Sequence, residues 1–231
     1  MEYCASRRQL LKMTAAGVAA MAATPAKMLP QVTAPEFPKP DSPAEAMRLL
    51  LDGNERYVQQ KYAECSLNLA TLRHDSEVEQ HPYAAVLCCA DSRMPAELVF
   101  DGSLGHLFVV RVAGNIATPD TIASLEYAVA VLNVKTILVV GHTNCGAVTA
   151  AKHGGTEPGS IAALFQYIYP ATLGTTDVAA AIVKNAQVQA EIVRGASTVI
   201  AKRVKDGQLS VEQALYDVGT GKVTMLERLK L

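Results

Sequence analysis

The chain has 231 residues, 50 % of them apolar and 19 % charged, with a formal net charge of -1. That length and apolar content suit one globular domain with a substantial core, and a near-neutral balance with no block of Lys or Arg argues against nucleic acid as a partner. Five cysteines are too few for a disulfide framework in a chain of this size, so metal binding or catalysis is the better reading of them.

The first residues, "MEYCASRRQLLKMTAAGVAAMAATPAKML", combine a paired arginine (Arg7, Arg8), a weakly apolar Ala-rich run from Met13 to Ala23, and small residues up to Ala26. This three-part layout is that of a secretory signal, and Ser6 to Lys12 matches the twin-arginine type. The apolar run is shorter than the ~20 residues that span a bilayer. Residues 1–26, including Cys4, are therefore expected to be removed after export to a periplasmic or external compartment, with cleavage between Ala22 and Ala26, leaving a protein with no membrane association. The Pro-rich stretch over 27–41 lacks periodicity and reads as an extended arm.

From Asp41 the pattern turns helical. Asp41 or Ser42 can cap, Pro43 fits the first turn, and Ala46, Leu49 and Leu50 fall at helical spacing. "YAAVLCC" (83–89), "LFVVRVA" (107–113) and "TILVVG" (136–141) are short Val-rich runs, suited to strands buried on both faces of a mainly parallel sheet. Between the last two, Thr118 can cap and Pro119 can open a helix whose stripe is Ile122, Leu125, Ala128, Val129 and Leu132. The stretch 179–207 predicts one long helix or two consecutive ones, and the tail alternates before turning at Gly219-Thr220-Gly221, a hairpin signal. The fold class is α/β: a single domain with a mainly parallel central β-sheet flanked by helices, behind an extended N-terminal arm.

Two predicted strands run straight into polar sequence. The first leads into Cys89-Ala90-Asp91-Ser92-Arg93, the third into His142-Thr143-Asn144-Cys145. Ligands of open α/β sheets bind outside the carboxyl ends of strands. Two thiolates and an imidazole, from Cys89, His142 and Cys145, suit tetrahedral zinc with one position left open. A single Cys at a strand end is most often a small buried apolar residue; two such motifs on separate strand ends are harder to explain that way. The spacing of His142 and Cys145 places them on one side of a helical turn, and strand alternation places Cys89, Asp91 and Arg93 on one side of an extended chain. The same alternation turns Cys88 to the opposite face, into the core. An Asp91–Arg93 pair can either pin a loop or hold a zinc-bound hydroxide in place while the metal lowers the pKa of its water to about 7.

The set "CADSR" (89–93), "LFVVRVAGN" (107–115), "SLEYAV" (124–129) and "VVGHTNCGAV" (139–148), with the "LLLDGNERYV" helix and the "YDVGTGKV" tail, resembles the β-class carbonic anhydrases. The likeness covers the chain after the signal, making 42–231 the enzymatic domain. It implies a zinc enzyme that interconverts carbon dioxide and bicarbonate, one Zn2+ per subunit, built as a homodimer or tetramer. It implies Cys89, His142 and Cys145 as metal ligands and Asp91 with Arg93 as the catalytic pair, with Asp91 able to become a fourth ligand in a closed state. Hydrolysis of carbonyl sulfide or carbon disulfide on the same fold, or zinc binding without turnover, are the other readings. The chain departs from the family where Gly102-Ser103 replaces a substrate-contacting Gln and where His106 replaces an acidic residue; lacking Trp, it cannot build the regulatory bicarbonate pocket of some bacterial relatives. His153, His81 and His74 are candidate proton shuttles. Cys65 reads as a bystander, and Asn115 and Glu126 as residues that fix backbone and helix.

Overall fold

The computed structural model describes residues 38–62, 73–74 and 76–229. The signal segment with Cys4, most of the arm, and Cys65 lie outside them. Among the described residues no helix is long and apolar enough to cross a membrane.

Helix α1 (Pro43–Val58) starts where Ser42 accepts the backbone N–H of Glu45 at 3.2 Å and Pro43 occupies the first turn, where its missing N–H costs nothing. Its buried side carries Ala46, Leu50, Gly53 and Asn54. Gly53 is required by a close approach: a Cβ there would lie 1.9 Å from the Phe100 carbonyl oxygen. Asn54 then ties three segments together, donating to Val99 O at 3.0 Å and Gly221 O at 2.9 Å and accepting from Val223 N at 2.8 Å.

Among the described residues five strands follow: β1 (Ala84–Cys88), β2 (Leu107–Arg111), β3 (Thr136–His142), β4 (Ser210–Tyr216) and β5 (Val223–Met225). They form one sheet in the order β2-β1-β3-β4-β5, parallel except for the β4–β5 pair. The short helix α2 (Ala96–Val99) follows β1, and α3 (Pro119–Ala130) joins β2 to β3. A capping box of Thr118 and Thr121 starts α3, with Pro119 in the first turn. After β3 come α4 (Gly146–Lys152), a 3-10 turn (Gly159–Ile161), α5 (Ala162–Thr172), α6 (Val178–Ala196) and α7 (Thr198–Lys205). The stretch read as one or two helices is two, because Ser197 is extended and its side chain caps α7 through the Ile200 N–H at 3.1 Å.

Alternation along the strands separates two cores. Val86, Cys88, Leu138, Val140 and Ala214 face α1 and α2 with Leu50 and Phe100. Ala85, Leu87, Ile137, Val139 and Val211 face α3, α6 and α7 with Leu125, Val193 and Ile200. Each fully buried Leu, Ile or Phe contributes about 1.5–3 kcal/mol. One expectation is corrected: β2 is an edge strand, only half-buried along Leu107–Val110, not a strand covered on both faces. An apolar run does not distinguish the centre of a sheet from its edge.

Chain direction decides where a site can form. From β1 the chain steps to β2 on one side, while β3, on the other side of β1, is followed by β4 further out. The crevice at such a switch point opens at the carboxyl ends of β1 and β3. A third apolar cluster of Ile116, Val148, Phe165, Ile168 and Ile182 packs there, around Cys89 and Cys145.

Candidate metal centre

Cys89 directly follows β1, His142 ends β3, and Cys145 is the N-cap of α4. Their donor atoms all lie within 4.8 Å of one another, and all three residues are buried. The two Sγ atoms are 4.0 Å apart. His142 and Cys145 are brought together by a strand–turn–helix junction and not by a helical turn. The reversal is at Asn144, whose φ of +58° is left-handed, a conformation that Asn tolerates better than most residues.

The His142 ring is oriented from behind. Its Nδ1 lies 3.0 Å from Thr143 O, so Nδ1 carries the proton and Nε2 is left as a lone-pair donor. Nε2 is buried and has no hydrogen-bond partner among the described residues. An unpaired buried imidazole nitrogen beside two thiols is a donor set that fits a soft, tetrahedral cation.

Backbone N–H groups surround both sulfurs. Gly114 N–H donates to Cys89 Sγ at 3.3 Å, and Asp91 N–H also faces that sulfur. Ala147 and Val148 N–H, in the first turn of α4, face Cys145. The neighbouring Cys145 thiol, His142 and these N–H groups hold Cys89 well below the usual thiol range against its burial. Cys145 moves up in turn, because its thiol is held in a hydrogen bond to the Cys89 sulfur, because it is buried, and because the charge on Cys89 opposes a second one beside it. Burial would lower His142, but its contacts with Cys89, Thr143 O and Asp91 outweigh that and raise it. Cys88, fully buried on the other face, is pushed up to about 12 by burial and stays an inert thiol.

Asp91 and Arg93 meet, but not through strand alternation. The chain turns after Asp91, with Met94 N–H bonded to Asp91 O at 3.0 Å, and Asp91 Oδ1 accepts the Arg93 backbone N–H at 2.9 Å. This Asx-turn folds Arg93 back so that Nε donates to Oδ1 at 2.9 Å and Nη2 to Oδ2 at 2.8 Å. The guanidinium holds the Asp91 carboxyl well below the usual carboxylate range. Oδ2 lies 3.8 Å from His142 Nε2, so the carboxylate borders the three donors. Arg93 Nη2 also reaches Asn144 O at 3.2 Å, linking the two motifs.

Arg111, at the end of β2, escaped the sequence reading. It donates to Cys89 O at 3.2 Å and to Asp91 O at 2.7 Å and so clamps the backbone from Cys89 to Asp91. A cation closing the apolar run "LFVVR" was the available signal. Of the family departures, His106 Nδ1 accepts the Ser103 N–H at 3.2 Å, and Ser103 Oγ is buried with no hydrogen-bond partner among the described residues. His153 caps the far end of α4 from Cys145, about 12 Å along the helix at 1.5 Å per residue. His81 lies 3.6 Å from Glu79. Asn115 is buried at φ +46°, in the loop that carries Gly114, and Glu126 accepts a hydrogen bond from Ser197 Oγ.

A family model described as carbonic anhydrase matches residues 84–223. Carbonic anhydrase 2 of Mycobacterium tuberculosis is 33% identical over 197 residues, covering 81% of this chain and 95% of that protein. Among solved structures, the Coccomyxa β-carbonic anhydrase in complex with acetazolamide is similar with a TM-score of 0.61 and 28% identity, over 77% of this chain and 84% of that one. A tetrameric β-carbonic anhydrase from Sordaria macrospora shares the fold, with a TM-score of 0.62 at 23% identity over 79% of this chain and 97% of that one. The Cys-His-Cys site thus sits on the fold of these enzymes, and the chain belongs to the carbonic anhydrase family, in its β class.

Proposed function

We propose that this protein catalyses the reversible hydration of carbon dioxide to bicarbonate and a proton, with Cys89, His142 and Cys145 holding one zinc ion. Zinc, when bound, supplies Lewis acidity that brings the ionisation of water close to neutral pH. The observation that carries the reading is the position of Asp91: its Oδ2 lies 3.8 Å from His142 Nε2, while both carboxylate oxygens are held by Arg93.

An ionised carboxylate only accepts hydrogen bonds. Asp91 therefore takes the proton of an attacking water in a hydrogen bond and turns a lone pair toward the substrate carbon. Arg93 fixes the plane of that carboxylate and favours its orienting role over direct coordination. Arg111 holds the Cys89 and Asp91 carbonyls, so ligand and acid keep one spacing. The apolar packing of Ile116, Val148 and Ile168 around the thiols limits access of bulk water.

Two further parts of the reading concern assembly and location. The open edge of β2 is apolar and half-buried, and Tyr127, 47% exposed, packs tilted beside Phe108 with ring centroids 6.2 Å apart. An edge of this kind is suited to pairing with a second copy, which supports a homodimer or tetramer; light scattering at micromolar concentration should return at least twice the chain mass, and a monomer would remove this part. The twin-arginine segment supports export of folded protein, so that zinc enters while the thiols are reduced. Replacing it with a signal that threads unfolded chain should lower the zinc content of exported protein; unchanged zinc would refute that rationale.

Stopped-flow carbon dioxide hydration tests the central reading. Zinc-loaded protein should accelerate hydration in proportion to its zinc content, and Asp91→Ala should lose roughly a hundredfold or more with zinc still bound. No rate above buffer between pH 7 and 9 would sink it.

A further inference from the structure

Helix α6 carries two carboxamides, Asn185 and Gln189, one turn apart and fully buried among apolar neighbours such as Ala186, Ala190 and Val193. Each is satisfied by specific partners. Asn185 Nδ2 donates to Gly114 O at 2.8 Å. Gln189 Oε1 accepts from Ala117 N at 2.8 Å, and its Nε2 donates to Tyr167 O at 2.8 Å and to Asn185 Oδ1 at 3.1 Å. These bonds leave neither amide free to flip. Turning Asn185 over would set oxygen against the Gly114 carbonyl and nitrogen against the Gln189 donor.

The clamped segment is the loop between β2 and α3, which delivers the Gly114 N–H to Cys89 Sγ at 3.3 Å. Gly114 has φ +78°, and a Cβ there would meet Ile168 Cδ1 at 2.7 Å, so the position needs glycine, the residue with the least intrinsic backbone restraint. Within the loop a turn bond from Asn115 N–H to Val112 O at 2.9 Å spans Gly114, and the Gly114 carbonyl itself is restrained from outside the loop, by Asn185. We infer that Asn185 is a positioning residue of the metal centre: by holding Gly114 O, with Gln189 as its buttress, it keeps the Gly114 N–H on the Cys89 sulfur and so sets how strongly that thiolate donates to a bound cation. This rests on the metal-site reading and adds to it a determinant 96 positions away in sequence from the ligand it acts on (185 against 89).

Outer-shell partners of metal ligands typically change affinity by about 10–100-fold when removed. The test is the thiolate-to-cobalt charge-transfer absorption of Co(II)-loaded protein, together with the rate of zinc loss to a chelator. Without the N–H donor, sulfur electron density rises and the band should move to longer wavelength. Asn185→Leu should show that shift and, with the loop that carries Gly114 no longer held against the site, lose zinc at least roughly tenfold faster despite the stronger sulfur donor. Asn185→Asp keeps the volume, and its carboxylate cannot donate to Gly114 O; it should shift the band in the same direction. Val193→Ala weakens the core of the same helix away from the loop, and should lower the melting temperature while leaving the band in place.

A band unmoved in folded Asn185 variants overturns the inference and leaves the metal reading intact. Failure of both Asn185 variants to fold overturns it too, assigning Asn185 to the core alone. Absence of any thiolate-to-cobalt band in the parent protein takes down the metal reading and this inference with it.

Discussion

Arg93 closes on Asp91 at three points, one from its own backbone N–H and two from its guanidinium, at 2.8–2.9 Å. The two guanidinium contacts use the planar fork of arginine on the two oxygens of one carboxylate. Lysine offers a single ammonium and cannot reproduce the fork. Arg93→Lys should therefore retain zinc stoichiometry, while kcat/KM for carbon dioxide hydration falls on the order of a hundredfold through misplacement of Asp91. Full activity in the lysine variant would show that charge alone suffices.

The same pair makes stability depend on pH. Asp91 is held below the usual carboxylate range by Arg93, so the folded protein gives up this proton at lower pH than the unfolded chain. Its contribution is complete above about pH 4, the unfolded value, and is lost as pH falls through the folded one. Asp91→Asn should be less stable than the parent at pH 6, and the difference should shrink on acidification below about 4. Urea unfolding at matched zinc content measures it; a constant difference down to pH 3 would contradict the linkage.

Cys88 and Cys89 should respond in opposite ways to one substitution. Cys88 packs with Val86, Val140 and Ala214 on the α1 side of the sheet, whereas Cys89 lies among the three buried donors. Cys88→Ser buries a hydroxyl in an apolar site and should cost about 1–3 kcal/mol with zinc retained. Cys89→Ser should abolish stoichiometric zinc. Metal analysis of both purified variants separates them, and zinc loss from Cys88→Ser with retention in Cys89→Ser would invert the register.

His106 predicts a second pH effect in a different window. Its Nδ1 accepts the Ser103 N–H, which requires the neutral ring, and burial lowers its pKa from 6.5. The folded-state value lies below the unfolded one, so the contribution is complete above about pH 6.5 and is lost as pH falls through the folded value. His106→Asn retains an acceptor and does not titrate. Between pH 7.5 and 5.5 the parent should lose more melting temperature than this variant; equal losses would exclude His106 as a source of the slope.

Several elements were legible because their causes are local. Ser42 before Pro43, and Thr118 before Pro119, announce helix starts through cap bonds made within one turn. The tail signal at Gly219-Thr220-Gly221 became the β4–β5 hairpin for the same reason. The placement of Cys89, His142 and Cys145 at strand ends followed from apolar runs that break into polar sequence. Arg93 was found as a partner of Asp91 for the wrong geometric reason: an Asx-turn, not pleat alternation, brings it back.

What chain-local patterns could not contain is distance across the fold. Nothing near Gly114 in sequence indicates that Asn185, 71 positions on, holds its carbonyl, or that Gly53 must admit the Phe100 carbonyl. Whether "LFVVR" lies inside the sheet or on its edge depends on strand order, and strand order depends on which crossovers bury the most surface. Residue chemistry and local backbone preference were thus settled along the chain, where interactions span a few residues. The 4.8 Å convergence of thiols and imidazole, and the carboxamide clamp behind it, belong to long-range packing. That packing is a cooperative balance among strands and helices far apart in sequence, and no short stretch carries it.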